Sequence, residues 1–494
     1  MKNRRRYISG MGLLGRGTMA GLGVAGALSA APLDLGDRRE VLVDSHLIEE
    51  LRGVRLTLHE PRDEGPVLPF NEPWEGPFSA YCTVLRDGNR FLVYYRGKLT
   101  SQRDGAGEVT CVAESADGRT WTKPQLGLIP VGDIRSNNVV LALDEVSHNF
   151  SPMLDANPSA PVAERFKAVG GTMKSGLVAF VSPDGFHWRK LRETPVFTKA
   201  QTPYSYVFDS QNVVFWSQAE QRYVMFFRMF LDGKRRISRA ESRDFVTWTN
   251  VMAMEYRGAD GGPTELEELY TNQTHPYFRA PHLYISLAAR FMPGRQVLSE
   301  AQAKAINVHP SYFKDTSDAV FLTSRGGNIY DRTFMGAFVR PGIGAQNWVS
   351  RTTYPALNVV QTGDHEMSAY VNQDYAQPTA HLHRYSLRLD GFASVRAPHE
   401  GGEFRTRLLT FKGNRLLVNF ATSAAGGIRV EVLDAAGKPL PGFALEASVE
   451  TIGNEIERTV RWKTGESLGA ISGQPVRLRF VMKDADLYAL RFAD

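Results

Sequence analysis

Ser115-Ala116-Asp117-Gly118-Arg119-Thr120-Trp121 returns as Ser182-Pro183-Asp184-Gly185-Phe186-His187-Trp188 and as Ser242-Arg243-Asp244-Phe245-Val246-Thr247-Trp248. A degenerate copy is Ser324-Arg325-Gly326-Gly327-Asn328-Ile329-Tyr330. Self-similarity at a long period is the mark of stacked or radial repeats. Asp-Gly makes a tight turn, with glycine in the φ > 0 position. The Ser and Asp side chains bond the turn backbone, and the Trp anchors the turn on a sheet. Alternating segments precede the turns, such as Thr110–Glu114 and Leu177–Val181. The unit is a small antiparallel sheet closed by a hairpin, as a β-propeller blade requires.

Working outward, five such units are expected between residues 40 and 398, the first over Ala80–Trp121. Glu40–Asp44 and Val54–Leu58 are expected to supply the strand that closes the ring. An insertion, Gln296–Tyr312, carries a helix signal with Ser299 as N-cap, and its place in the fourth unit suggests a cap over the central funnel. His399–Gly402 reads as a linker. Short alternating strands then fill 403–494, including Arg415–Phe420, Ile428–Val432 and Leu487–Phe492. They suggest a β-sandwich accessory domain. The fold class is all-β: a five-bladed β-propeller followed by a C-terminal β-sandwich.

At the N-terminus, Arg4-Arg5-Arg6 precedes a Gly/Ala-rich stretch to Ala30, with Ser29-Ala30-Ala31 as a cleavage site. Residues 1–31 read as a twin-arginine-type signal peptide, so the protein is expected to be exported, periplasmic or extracellular. The chain has 58 Lys and Arg against 53 Asp and Glu. Removing Lys2, Arg4, Arg5, Arg6 and Arg16 balances them, giving no reason to invoke nucleic acid or, after signal removal, a membrane. Cys82 and Cys111 fall on non-adjacent strands of one unit, too far apart to bridge. Phosphate-loop, dinucleotide and metal motifs are absent, so no cofactor is expected.

This arrangement resembles the five-bladed propeller glycoside hydrolases, the fructosidase-like family 32 and the arabinanase- and xylosidase-like family 43. Those enzymes carry Ser-x-Asp-Gly-x-x-Trp turns and often append a β-sandwich. Glu267–Asn272, Pro276–Pro281, Ser317–Phe321 and Leu387–Phe392 are more closely similar to exported family-32-like bacterial proteins. The resemblance implies a carbohydrate substrate and carboxylates converging in a central funnel. Asn71-Glu72-Pro73-Trp74-Glu75-Gly76 has the rhythm of family 32's Asn-Asp-Pro-Asn-Gly, with Glu for Asp and an inserted Trp-Glu. The family's Arg-Asp-Pro and Glu-Cys phrases are absent, and no roles carry over.

Glycoside cleavage needs a proton donor and a second carboxylate on the opposite face of the bond. Acids entering inner strands beside apolar or aromatic residues are the candidates: Glu75, Asp209, Glu267 and Glu366. Trp74, Arg96, Arg228, His275, Arg279 and Arg325 are candidate substrate-binding residues, the arginines for a carboxylate or sulfate on an acidic sugar. The expected activity is hydrolysis of a plant or algal oligo- or polysaccharide. Two rivals are a non-catalytic carbohydrate-binding propeller and a glycoside phosphorylase. The phosphorylase would need arginines converging beside a single acid.

Overall fold

The computed structural model describes residues 31–101 and 105–494; the leader expected over 1–31 lies, apart from Ala31, outside them. The described residues form strands, 3₁₀ turns and one α-helix, Glu300–Ala305. No helix among them is long and apolar enough to cross a membrane.

Three four-stranded antiparallel sheets follow one another along the chain. The first comprises Ala80–Asp87, Arg90–Gly97, Val109–Ser115 and Val139–Leu141. The second runs from Ser151–Leu154 to Arg189–Lys190, and the third from Val213–Ser217 to Trp248–Ala253. The next stretch builds a seven-stranded sheet between Glu255 and Val339. A fifth sheet contains Glu366–Gln373 and His381–Arg388. The expectation of five blades is therefore corrected to four regular ones. Four sheets follow a four-strand path, and the fourth stretch is enlarged by parallel pairing of Glu255–Arg257 with Ile329–Asp331.

The repeated turns hold the ring together. In each of the first three, the Ser hydroxyl bonds the Asp carboxylate, which accepts two later backbone N–H groups. Each turn then clamps the sheet before it. Tyr94 of the first sheet donates to the Gly185 carbonyl at 2.9 Å, and Arg239 of the third donates to that of Gly327. Lys167 of the second sheet lies 5.9 Å from the Phe245 ring. Tyr277 of the fourth donates to Asp390, in the turn after the fifth, at 2.8 Å. Tyr370 of the fifth donates to Gly118 in the first turn and completes the circle. That closed succession makes the fold a β-propeller.

Ring closure differs from the sequence expectation. The N-terminal strand in the fifth sheet is Arg62–Pro69, paired with His381–Arg388 through two register shifts. Gly65 and Pro66 hide it from a strand reading, because both are poor in ladders except at bulged edges. Glu40–Val41, Ile48–Arg52 and Arg55–Leu58 instead join an eight-stranded sheet with Ala393–Ala397 and the C-terminal strands. Its spine is the pairing of Arg415–Leu433 with Arg477–Ala493. Its core includes Leu42, Phe404, Val430, Trp462, Phe480 and Phe492. The C-terminal strands are thus interleaved with N-terminal ones.

Cys82 and Cys111 are buried, unbridged thiols.

Candidate functional site

Each inner strand begins on the face opposite the Ser-x-Asp turns. Just there, each sheet holds a non-glycine residue at positive φ: Tyr81, Asn149, Phe208, Gln273 and Thr353. Such backbone costs about 1–3 kcal/mol per residue and persists where surroundings impose it, often at ligand sites. Below this level the axis is filled. Gln211 bonds Thr83 at 2.7 Å and Ser151 at 3.5 Å, while Gln273 bonds Gln211 at 2.7 Å and the Pro355 carbonyl at 2.8 Å. This belt joins all five sheets, so the site lies above it.

There the structure gathers arginines and tyrosines. The Tyr270 ring centroid is 4.2 Å from the Arg228 guanidinium, 5.1 Å from Arg351 and 5.3 Å from Arg235. Burial alone would raise the Tyr270 phenol, but Arg351 and Arg228 outweigh it and hold it below its usual range. Arg351 also faces Tyr312 at 4.9 Å and Tyr375 at 5.6 Å. Arg96 lies 4.6 Å from the Tyr81 ring and donates to Asn149 and to the Tyr375 hydroxyl, each at 3.1 Å. The insertion forms part of the wall: His309 and Tyr312 pack on Phe78, and Tyr312 on Tyr375. Its helix has the expected Ser299 cap, completed by Gln302. The insertion thus packs against the start of the first sheet and Tyr375.

Two acids belong to this cluster. Asp209 accepts from Arg228 at 2.6 Å, and its side chain is 46% exposed whereas that of Arg228 is 2% exposed. Burial would raise its carboxyl, but Arg228, Tyr206, His148 and Arg351 together keep it below the usual carboxylate range. Glu108 is buried between Arg96 at 3.2 Å, Lys98 at 3.6 Å and Nδ1 of His148. Against its burial, Arg96, His148 and Lys98 hold it down at about 2. The Asn149 amide donates to Nε2 of His148 at 3.0 Å. An ionised, half-exposed carboxylate can accept a proton.

Of the ten residues singled out in the sequence, Asp209, Arg96 and Arg228 meet here. The other three acids share no partner with Asp209 or with one another. Glu75 is fully buried, held by the Tyr95 hydroxyl at 2.5 Å and Lys123 at 2.7 Å. Trp74 beside it donates to Asn138 at 2.9 Å. Glu267 bridges Arg290 and Arg332, at 2.7 and 2.8 Å. Its neighbour Glu268 is the one that turns toward the cluster, through Arg235 at 2.7 Å. Glu366 pairs with Arg384 and with Arg119 of the first repeated turn. It starts the strand Glu366–Gln373, so most of that strand's length, about 3.3 Å per residue, separates it from Thr353 and Asn372. His275 has both ring nitrogens taken by backbone, Nδ1–H donating to Gln273 and Nε2 accepting from Val359. Burial pushes it down to about 4. Arg279 pairs with Asp390, and Arg325 with Glu40 and Asp44. Of the four acids from which a catalytic pair was expected, only Asp209 thus lies in this cluster. Most candidates satisfy strong ion pairs that were invisible without knowing which strands abut.

Arg351, Glu108 and the tyrosines Tyr81, Tyr270 and Tyr375 escaped the sequence reading. One signal was present: counting back from each Ser-x-Asp turn to the start of the inner strand reaches Tyr81, Asn149 and Asp209. Among the described residues, no group of three or more His, Cys, Asp and Glu is placed to hold a metal ion. Two cavities of about 280 and 320 Å³ lie elsewhere, one on the C-terminal sheet around Glu50 and Arg479, the other near Arg39, Arg279 and Arg491.

No protein-family model matches the chain, and no curated protein matches it. Several solved structures are similar at low identity. One described as a glycoside hydrolase is 12% identical, covering 67% of this chain and 92% of its own, with a TM-score of 0.44. A fructofuranosidase from Schwanniomyces occidentalis complexed with fructosylnystose is 10% identical, covering 88% and 99%, with a TM-score of 0.37. A β-1,2-mannobiose phosphorylase from Listeria innocua is 11% identical, covering 68% and 94%, with a TM-score of 0.40. At these scores no residue role passes from them to this chain.

Proposed function

We propose that this protein is a carbohydrate-active enzyme that cleaves a glycosidic bond at the head of the propeller axis. Asp209 would be the reacting carboxylate. The observation that supports this most is its placement: among the four candidate acids, it alone is half exposed within the cluster where the sheets' inner strands begin. Held ionised by Arg228, it suits a base or nucleophile. His148, held through Nδ1 by Glu108 and through Nε2 by Asn149, is part of the wall of the cluster. The aromatic walls offer faces for sugar rings. We also propose export, on the strength of Arg4-Arg5-Arg6 and the Gly/Ala-rich stretch after it.

The test is a panel of plant and algal polysaccharides and aryl glycosides given to the purified protein and to Asp209→Asn. Sugar release by wild type and its loss in the variant is the expected result. Release that Asp209→Asn retains would refute the assignment. Binding of glycans without release by either protein would make this a lectin.

A further inference from the structure

Arg228 and Arg351 present donors that the protein does not use. Arg228 is 2% exposed; one of its nitrogens meets Asp209 and its guanidinium leans on the Tyr270 side chain, yet Nε and Nη1 lack a hydrogen-bond partner of good geometry. Nε of Arg351 is buried and likewise without one. Among the described residues Arg351 makes no ion pair; its cation sits among the rings of Tyr270, Tyr312 and Tyr375. Aromatic faces stabilise a guanidinium but accept none of its N–H bonds well. Native proteins rarely leave such donors unmatched. The other two cations of the cluster have carboxylate partners, Arg96 in Glu108 and Arg235 in Glu268, although Nε of Arg235 is also buried without a hydrogen-bond partner. Asp209, half exposed, answers a single guanidinium.

We infer that Arg228 and Arg351 form an oxyanion site beside Asp209, filled by a carboxylate, sulfate or phosphate group of the substrate. A planar guanidinium offers paired N–H donors that match such oxygens. The tyrosine rings would keep water from competing. The inference deepens the reading of this cluster as the substrate site, but it concerns binding and does not require cleavage. The anion has two sources: it is carried by the sugar, as in a uronic acid or sulfated residue, or it is free inorganic phosphate attacking the glycosidic bond.

The experiment is calorimetric titration of the full-length protein with glucuronic acid, galacturonic acid, a sulfated monosaccharide, inorganic phosphate and, as neutral controls, glucose and galactose. Arg351→Met, which keeps a long apolar stem without the charge, and Arg228→Lys are run beside wild type. At least one anionic probe should bind wild type more tightly than the neutral sugars. Arg351→Met should lose that preference by about tenfold, the worth of one charged hydrogen bond. Preference for a uronic acid or sulfated sugar places the anion on the substrate; preference for phosphate makes it a co-substrate. Equal binding of charged and neutral probes, no binding of any anion, or a preference unchanged in a folded Arg351→Met would overturn the inference. Should Arg351→Met fail to fold, Arg228→Lys carries the same comparison. A protein that binds anions but cleaves nothing keeps the oxyanion site and loses the enzyme reading. One that cleaves neutral glycans through Asp209 without anion preference does the reverse.

Discussion

Gly185→Ala tests whether the repeated turns clamp neighbouring sheets. Gly185 has φ of +88°, and a Cβ there would lie 2.5 Å from the Tyr94 hydroxyl. That hydroxyl donates to the Gly185 carbonyl at 2.9 Å, and Tyr94 is fully buried. The backbone strain of alanine at positive φ is about 1–2 kcal/mol. Displacing Tyr94 leaves a buried phenol without its acceptor, a further loss of about 1–3 kcal/mol. The variant should therefore be destabilised by about 2–5 kcal/mol. Gly88→Ala is the control, because Gly88 has φ of +62° with nothing within 4 Å of the new Cβ. It should show the strain alone, about 1–2 kcal/mol. Tyr94→Phe removes the clashing atom, so Gly185→Ala should be milder in that background, with a coupling of about 1–3 kcal/mol. Urea unfolding followed by tryptophan fluorescence supplies the midpoints. A Gly185→Ala variant no less stable than Gly88→Ala, or no relief from Tyr94→Phe, would rule out the clamp.

Three further outcomes are expected. Glu75→Gln should lower stability by about 3–5 kcal/mol, as when one member of a buried ion pair is removed, while activity per folded molecule stays at the wild-type level; chemical denaturation and rate measurements separate the two. Glu108, held at about 2 from an ordinary value of 4.5, contributes stability that is fully present above about pH 4.5 and is lost as pH falls toward 2; thermal melts across that window should show Glu108→Gln losing less stability on acidification than wild type. Burial raises both thiols, Cys82 and Cys111, so a thiol reagent should find neither in the native protein and both after unfolding.

The fold was legible in the sequence wherever local chemistry decides structure. Ser-x-Asp-Gly carries its own turn, and the strands beside it alternate, so the repeated sheets could be placed. Arg62–Pro69 could not, since its pairing is imposed by His381–Arg388 and contradicts its Gly-Pro propensity. Glu40–Val41 looks like any edge strand, and only its partner Ala489–Leu490 assigns it to the C-terminal sheet. The site was less legible for a related reason. A carboxylate's role depends on which cation a neighbouring sheet supplies. Glu75 and Glu366 had suitable flanks, but Lys123 and Arg384 neutralise them. Asp209 and Arg228 share a sheet's end, so their proximity was within reach of a strand reading. Arg351 comes from an irregular segment with φ of +59°, and no periodicity points to it.

Whether sugars bind at the Asp209 cluster is decided by a crystal structure of the protein soaked with a glycan that it binds or cleaves. A sugar is expected above the Gln211–Gln273 belt, with one hydroxyl or ring substituent within hydrogen-bond distance of Asp209 and the tyrosine rings along its faces. A sugar bound only in the cavity around Glu50 and Arg479 on the C-terminal sheet, with the Asp209 cluster empty, would contradict this placement.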